Sequence, residues 1–217
     1  MSDITLVVLC AGESSRFELS VKKQWIRIDD EPLWLNVTKR LSSYSGFQKT
    51  IVVGHKDELS YMKNFSDDFS FVSGGDSRQQ SIVNALEHVT TKYVMITDVA
   101  RCCVPQSIIQ NLITHKSDAS IIVPALNVSD TVVYENSTIN RDNVKLIQTT
   151  QLSTTSLLKE ATLSTVEFTD DSSAIKSLGG TVKYIQGSEK STKITFGEEI
   201  NGLECLPKPN SNTFLGN

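Results

Sequence analysis

The run ITLVVLCAGESSRF, residues 4–17, changes character at its midpoint. Ile4 to Leu9 are five aliphatic residues and one threonine with no polar alternation, the pattern of a strand covered on both faces. Such strands belong to parallel sheets. The run then empties into small residues, Cys10, Ala11, Gly12, Ser14 and Ser15, and presents Arg16. In open α/β sheets the crevice beyond the carboxyl ends of the strands is where ligands bind, so this loop is expected at a ligand mouth. Small side chains let backbone N–H groups approach an anion, and Arg16 supplies a cation over the same loop. An ordinary strand-to-helix turn would begin the same way, so the decision rests on the rest of the chain.

Alternation continues downstream. DDEPLWLNVTKRLSS, residues 29–43, places Leu33, Trp34, Val37 and Leu41 on one helical stripe behind Pro32. KTIVVG and FSFVSGG read as the second and third strands. DSRQQSIVNALEHV reads as a helix with Asp76 as its N-cap and Ile82, Val83, Leu86 and Val89 turned inward. KYVMITDVAR is a fourth strand, PQSIIQNLITH a helix and ASIIVPAL a further strand. To about residue 125 the chain follows a Rossmann-like α/β alternation with a mostly parallel sheet.

There the pattern breaks. Residues 128–149 hold two β-rich pieces around a polar turn with no helix between them, the pattern of a β-arm projecting from the sheet. Residues 154–178 return to helix, TVKYIQG and TKITF supply strands, and LPKPNSNTFLGN reads as a linker or tail over 206–217. One domain over 1–205 is expected, with no internal repeat.

Composition narrows the partners. Lys+Arg 21 against Asp+Glu 25 gives a net charge of −4 over 217 residues, so no general attraction to nucleic acid or to an anionic membrane exists. No apolar run reaches the length of a membrane span and the N-terminus lacks a signal pattern, which points to the cytoplasm. Cys10, Cys102, Cys103 and Cys205 fit no zinc-ligand spacing, and the adjacent pair is poorly placed to bridge to itself. Four free thiols in a reducing compartment are expected. Cys10 has no neighbouring histidine and reads as a packing residue rather than a nucleophile.

Four groups of residues fit phosphate chemistry. The first is the loop with Arg16, followed by VKKQW with Lys22 and Lys23, although paired lysines are commonly no more than solvated surface. The second is GGDSRQQS, where Gly74 and Gly75 allow close backbone approach and Asp76 and Ser81 can bond a base or sugar. In TDVAR, Asp98 ends an apolar strand and is a hard-oxygen ligand suited to magnesium, with Arg101 three residues on. The fourth group is scattered: Asp130 and Thr131 in SDT, Arg141 on the arm, Thr149 in IQTTQ, Thr169 and Asp170 in FTDDSSA, and Lys193 in TKITF. Taken singly these are commonplace; an aspartate at a strand end can merely cap the next helix, a reading that the nearby arginine and the two other polar loops disfavour.

Their order and spacing, however, resemble one family over about residues 4–200. LCAGESSRF, VKKQW, GGDSRQQS, TDVAR, SDT, NRDNVKLIQTTQ, FTDDSSAI and TKIT look like the successive motifs of 2-C-methyl-D-erythritol 4-phosphate cytidylyltransferase. That resemblance implies a Rossmann-like nucleotidyltransferase fold, CTP as co-substrate, magnesium, and a homodimer in which each β-arm hooks over its neighbour. It implies that the acceptor phosphate attacks the α-phosphorus of CTP in line and expels pyrophosphate. By matching position, Cys10, Ala11, Gly12 and Ser14 cradle the triphosphate, and Arg16 and Lys23 offset its charge. Asp98 holds magnesium, and Gly75, Asp76 and Ser81 form the cytidine pocket. Arg141 and Lys193 position the acceptor phosphate with Arg101, Thr131, Thr149 and Thr169 nearby, while Asp130, Thr131 and Arg141 arrive from the neighbouring arm.

The chain departs from the family pattern at four places. Cys10 replaces the first of two alanines, Ser14 a second glycine, Thr150 the proline of Thr-Pro-Gln, and Cys102 the proline after Arg101. The tail NTFLGN resembles the junction found where this domain is fused to 2-C-methyl-D-erythritol 2,4-cyclodiphosphate synthase. Two rival readings stand beside this one: a cytidylyltransferase for another polyol phosphate such as ribitol 5-phosphate, and a non-catalytic nucleotide-binding module.

Overall fold

The computed structural model describes residues 2–14, 21–44, 46–164, 166–195, 199 and 205. β1 (Ile4–Leu9) lies between β4 (Lys49–Gly54) and β6 (Tyr93–Asp98) and runs parallel to both. β5 (Ser70–Ser73) continues the parallel set beyond β4. Beyond β6 comes β11 (Gln151–Thr154), antiparallel to it and to the start of β7 (Ile121–Asn127). β12 (Val182–Gln186) runs parallel to β7, and β10 (Lys145–Ile147) pairs antiparallel with its end. A separate two-stranded ribbon joins β2 (Arg27–Ile28) to β3 (Glu31–Pro32).

The missing alternation in β1 has a direct cause. Leu6 and Val8 belong to a core shared with Trp34 and Leu41 of α1 (Leu33–Ser43) and Ile109 and Leu112 of α4 (Gln106–Thr114). Val7, pointing the other way, packs with Ile82 and Leu86 of α3 (Arg78–Leu86), Leu158 of α5 (Thr155–Thr162) and Ile175 of α6 (Asp171–Ser177). With helices on both faces, successive residues are buried in opposite directions and both must be apolar. The short α2 (Leu59–Met62) packs beside β5. No helix among the described residues is long and apolar enough to cross a membrane.

Several expectations are corrected. β11 has no counterpart in the sequence reading because QLST carries one aliphatic residue in four, although Gln151, Leu152 and Ser153 are buried. Residues 154–178 are helical as expected, in two helices, but 192–195 contain no strand. The cap of α3 is Ser77, whose Oγ accepts from the Gln80 N–H at 3.1 Å, not Asp76, which stays exposed. Val83 on that helix is only half-buried.

The arm is present but narrower than 128–149. β8 (Val132–Tyr134) and β9 (Ser137–Ile139) form a hairpin across Glu135 and Asn136, both with positive φ, 49° and 62°. That turn matches the right-handed twist of paired strands. Residues 145–147 return to the main sheet as β10.

The cysteines also differ from expectation. Cys103 and Cys205 form a disulfide across 102 residues, while Cys10 and Cys102 are free and buried. Spacing cannot reveal a pairing that depends on the segment after β12 returning to the turn after β6, where the Ile194 N–H donates to the Ala100 carbonyl at 2.8 Å.

Candidate active site

The carboxyl ends of β1 and β6, the turn before α3 and the segment around Lys193 enclose a cavity of about 530 Å³. The first wall is the loop after β1. Ala11, Gly12 and Ser14 line the cavity, and Ser14 adopts a positive φ of 56°. Cys10 does not line it: its N–H donates to the Val53 carbonyl at 2.8 Å, so that amide is spent within the sheet and is not available to a ligand. Burial raises the Cys10 thiol pKa far above its ordinary value, which agrees with a packing role and corrects its expected place in the cradle.

A polar scaffold behind the loop sets its shape. Buried Gln24 donates from Nε2 to the Gly12 carbonyl and to Glu58 Oε2, each at 3.2 Å. Glu58 also accepts from the Trp25 indole at 2.8 Å and pairs with Lys22 at 2.9 Å. The Lys23 N–H donates to Ser14 Oγ at 3.0 Å, so the turn carrying Lys23 is tied to the loop it faces. Lys23 lines the cavity, and its Nζ donates to the Ile194 carbonyl. Arg16 lies outside the described residues.

Opposite this loop, Gly75, Asp76 and Ser81 line the cavity, and Ser81 Oγ accepts from the Gly75 N–H at 3.1 Å. Gly74 has no room for a side chain, because a Cβ there would meet the Ala11 Cβ at 2.5 Å. The Gly74 backbone thus packs directly against the Ala11 side chain.

Asp98 sits at the tip of β6 between two cations. Arg78 Nε lies 3.3 Å from Oδ1 and Lys193 Nζ 3.2 Å from Oδ2. Burial pushes the Asp98 carboxyl up, but Arg78 and Lys193 outweigh it and hold the pKa below its ordinary value, so the group is ionised. Arg78 is itself anchored by Asp171, 2.7 Å from Nη1 and almost fully buried. Arg78 was missed as a functional residue although it stands in the quoted GGDSRQQS. Gln24 in VKKQW and Asp171 in FTDDSSA were missed in the same way, and in each case the signal was adjacency to a selected residue.

The remaining expected residues do not all reach the cavity. Arg101 does not line the cavity; its Nε donates to Thr149 Oγ1 at 2.9 Å and its Nη1 to the Ser191 carbonyl at 2.7 Å, bracing the segment that leads to Lys193. Thr169 is exposed near the start of α6, outside the cavity wall. Asp130, Thr131 and Arg141 lie exposed on or beside the arm, and Arg141 Nη1 donates to the Ser129 carbonyl. Within one chain none of these three reaches the cavity.

The strand ends of this mainly parallel sheet present a backbone-lined loop, a lysine and an ionised aspartate to one cavity. The family model of 2-C-methyl-D-erythritol 4-phosphate cytidylyltransferase, IspD, matches residues 4–205. The chain belongs to that family. A bifunctional enzyme IspD/IspF of Aliarcobacter butzleri is 65% identical over 216 residues, 100% of this chain and 58% of that protein. The structure of the bifunctional IspDF from Campylobacter jejuni superimposes with a TM-score of 0.90 at 42% identity, covering 96% of this chain and 56% of that one. The 4-diphosphocytidyl-2C-methyl-D-erythritol synthase of Anaerococcus prevotii shares the fold at a TM-score of 0.80 and 22% identity, over 94% of this chain and 95% of that one. The chain thus spans little more than half the length of the bifunctional relatives it matches.

Proposed function

We propose that the chain transfers CMP from CTP to 2-C-methyl-D-erythritol 4-phosphate, giving the CDP-alcohol and pyrophosphate. The observation that carries this reading is Asp98, held ionised between Arg78 and Lys193 in the cavity that the Ala11–Ser14 loop and Lys23 also line. The loop backbone receives the triphosphate, and Gly75, Asp76 and Ser81 receive cytidine. Lys23, with Arg16, offsets the charge that grows as the acceptor phosphate attacks the α-phosphorus and pyrophosphate leaves. No general base is needed, because the attacking phosphate is already an anion. Alignment and charge neutralisation are the work.

The donor set suits magnesium. A single ionised carboxylate facing a cavity for phosphates is what that ion requires, since it draws its remaining oxygens from substrate phosphates and water. Asp98 would hold it, and once bound it supplies charge neutralisation on the triphosphate oxygens.

The proposal extends to the assembly and surroundings. Two chains form a homodimer in which Asp130, Thr131 and Arg141 of each arm complete the partner's acceptor site, with Lys193, Arg101, Thr149 and Thr169 contributed in place. The support is the position of Arg141, far along an exposed arm whose Val133 and Tyr134 are 62% and 63% exposed. Residues 1–205 form the transferase domain, and 206–217, outside the described residues, serve as a linker in a cytoplasmic, multifunctional enzyme. The test is pyrophosphate release on adding CTP, magnesium and acceptor. Turnover with 2-C-methyl-D-erythritol 4-phosphate well above that with ribitol 5-phosphate is expected; the reverse order transfers the assignment to a polyol-phosphate enzyme, and no release with either leaves a nucleotide-binding module.

A further inference from the structure

Behind the cavity, Cys102, Cys103 and Cys205 bring their sulfurs within 4.8 Å of one another. Among the described residues no other group of three or more cysteine, histidine or acidic side chains converges so closely on one point. Cys102 and Cys103 are buried, and Cys205 is the most accessible of the three. The first two follow β6, and the third comes back to them from beyond Lys193. We propose that with its thiols reduced this cluster binds a soft divalent cation of the zinc class through all three sulfurs, and that the Cys103–Cys205 disulfide is the oxidised form of the same site.

Geometry carries the proposal. A tetrahedral zinc with Zn–S bonds of about 2.3 Å holds its sulfurs roughly 3.8 Å apart. The Cys102 and Cys103 sulfurs stand 4.0 Å apart, close to that spacing. Cys205 sits beside both, its sulfur 3.6 Å from the Cys102 carbonyl oxygen. Three thiolates leave one coordination position for water.

Charge supplies an independent observation. Arg40 of α1 has Nε and Nη2 buried with no hydrogen-bond partner, and its positive charge acts on Cys102. Two buried guanidinium nitrogens without an acceptor call for an anion nearby. Three thiolates on a dication carry a net charge of −1, which Arg40 offsets; three neutral thiols offer it nothing.

The two occupants of the site exclude each other. An external dithiol opens the Cys103–Cys205 bond by giving two electrons and two protons and closing its own disulfide. Zinc then forms three S–Zn bonds while three thiol protons pass to solvent, with no further electron transfer. In either form the chain at residue 205 is tied to the turn after Asp98, so the segment holding Lys193 is secured at both ends.

The test uses the full protein, reduced with a phosphine, freed of metal and titrated with cobalt(II). One equivalent is expected to produce a sulfur-to-cobalt charge-transfer band, which zinc abolishes and the disulfide form never shows. Cobalt at an oxygen site such as Asp98 gives no sulfur band, so failure of this proposal and failure of the magnesium assignment are separable. Zinc is further expected to protect Cys102, Cys103 and Cys205 together from alkylation, read peptide by peptide in the unmutated protein. The band is expected to vanish in Cys102→Ser and in Cys205→Ser, each checked for native circular dichroism. No sulfur band in the reduced, folded protein overturns the proposal, as does a band unchanged in both variants or alkylation at all three cysteines unaffected by zinc.

Discussion

Asp98 faces two cations and a cavity, so its charge is used within the fold as well as toward a ligand. Asp98→Asn keeps the shape and removes the charge that a hard dication needs. The variant is expected to fold and to lose the activation by added magnesium, measured as turnover against magnesium concentration beside a thermal melt; unchanged magnesium dependence removes Asp98 from the metal site. Lys23 is argued differently, because its charge is asked to act on the transition state. Lys23→Ala is expected to lower kcat by about 10²–10³-fold, a loss of about 2.7–4 kcal/mol by analogy with removal of one oxyanion-hole donor, with a smaller change in KM for CTP. Its contact with the Ile194 carbonyl makes a melting curve part of that measurement.

The legibility of the fold varied between elements for physical reasons. β1, β4 and β6 were readable because burial on both faces demands unbroken aliphatic runs. β11 was not, because apart from Leu152 its place between β6 and β7 is held by strand pairing and by Gln151, whose side chain donates to Asp170 at 3.2 Å. Residues 192–195 erred the other way: TKITF has the composition of a strand, but only its Ile194 is buried among those four and pairs with the turn after β6. Of the site, the quoted motifs located the loops while the partners of each side chain stayed invisible, since Arg78 reaches Asp171 across 93 residues. The cap of α6 links element to site: Asp170 accepts from the Ser172 N–H at 3.1 Å and the Ser173 N–H at 3.4 Å, directly before Asp171. Asp170→Ala is expected to cost about 0.5–2 kcal/mol in urea denaturation and to lower turnover through Asp171 and Arg78. Burial pushes the Asp170 pKa up, but bonds from Ser172, Ser173 and Gln151 bring it below the ordinary value. Stability from a lowered carboxyl is fully present above its unfolded pKa of about 3.9 and is lost as pH falls through the native value. The deficit of Asp170→Ala against the parent is therefore expected to shrink on acidification below about pH 4; a deficit that stays constant there assigns the cap no charge.

At the scale of the whole molecule, the position of Arg141 has to be reconciled with the chemistry assigned to it. It is exposed, bonded to Ser129, and absent from the walls of its own chain's cavity. A lone two-stranded hairpin is marginal in water, and β8 and β9 make contact chiefly with each other, so a surface outside this chain is expected to hold them. If that surface is an identical subunit, each site takes Lys23 from one chain and Arg141 from the other. Complementation follows from this arrangement. Arg141→Ala and Lys23→Ala chains, each nearly inactive alone, are mixed and allowed to exchange subunits. Every heterodimer then holds one site with both lesions and one with neither. Random exchange makes half the dimers mixed, each with one intact site of two, so about a quarter of the parent activity is expected to return. Exchange is verified independently by the mass of dimers formed from isotopically labelled and unlabelled chains. Verified exchange with no recovery would mean that Arg141 serves its own chain's site, and the arm would then have to fold back toward Lys193 instead of reaching across.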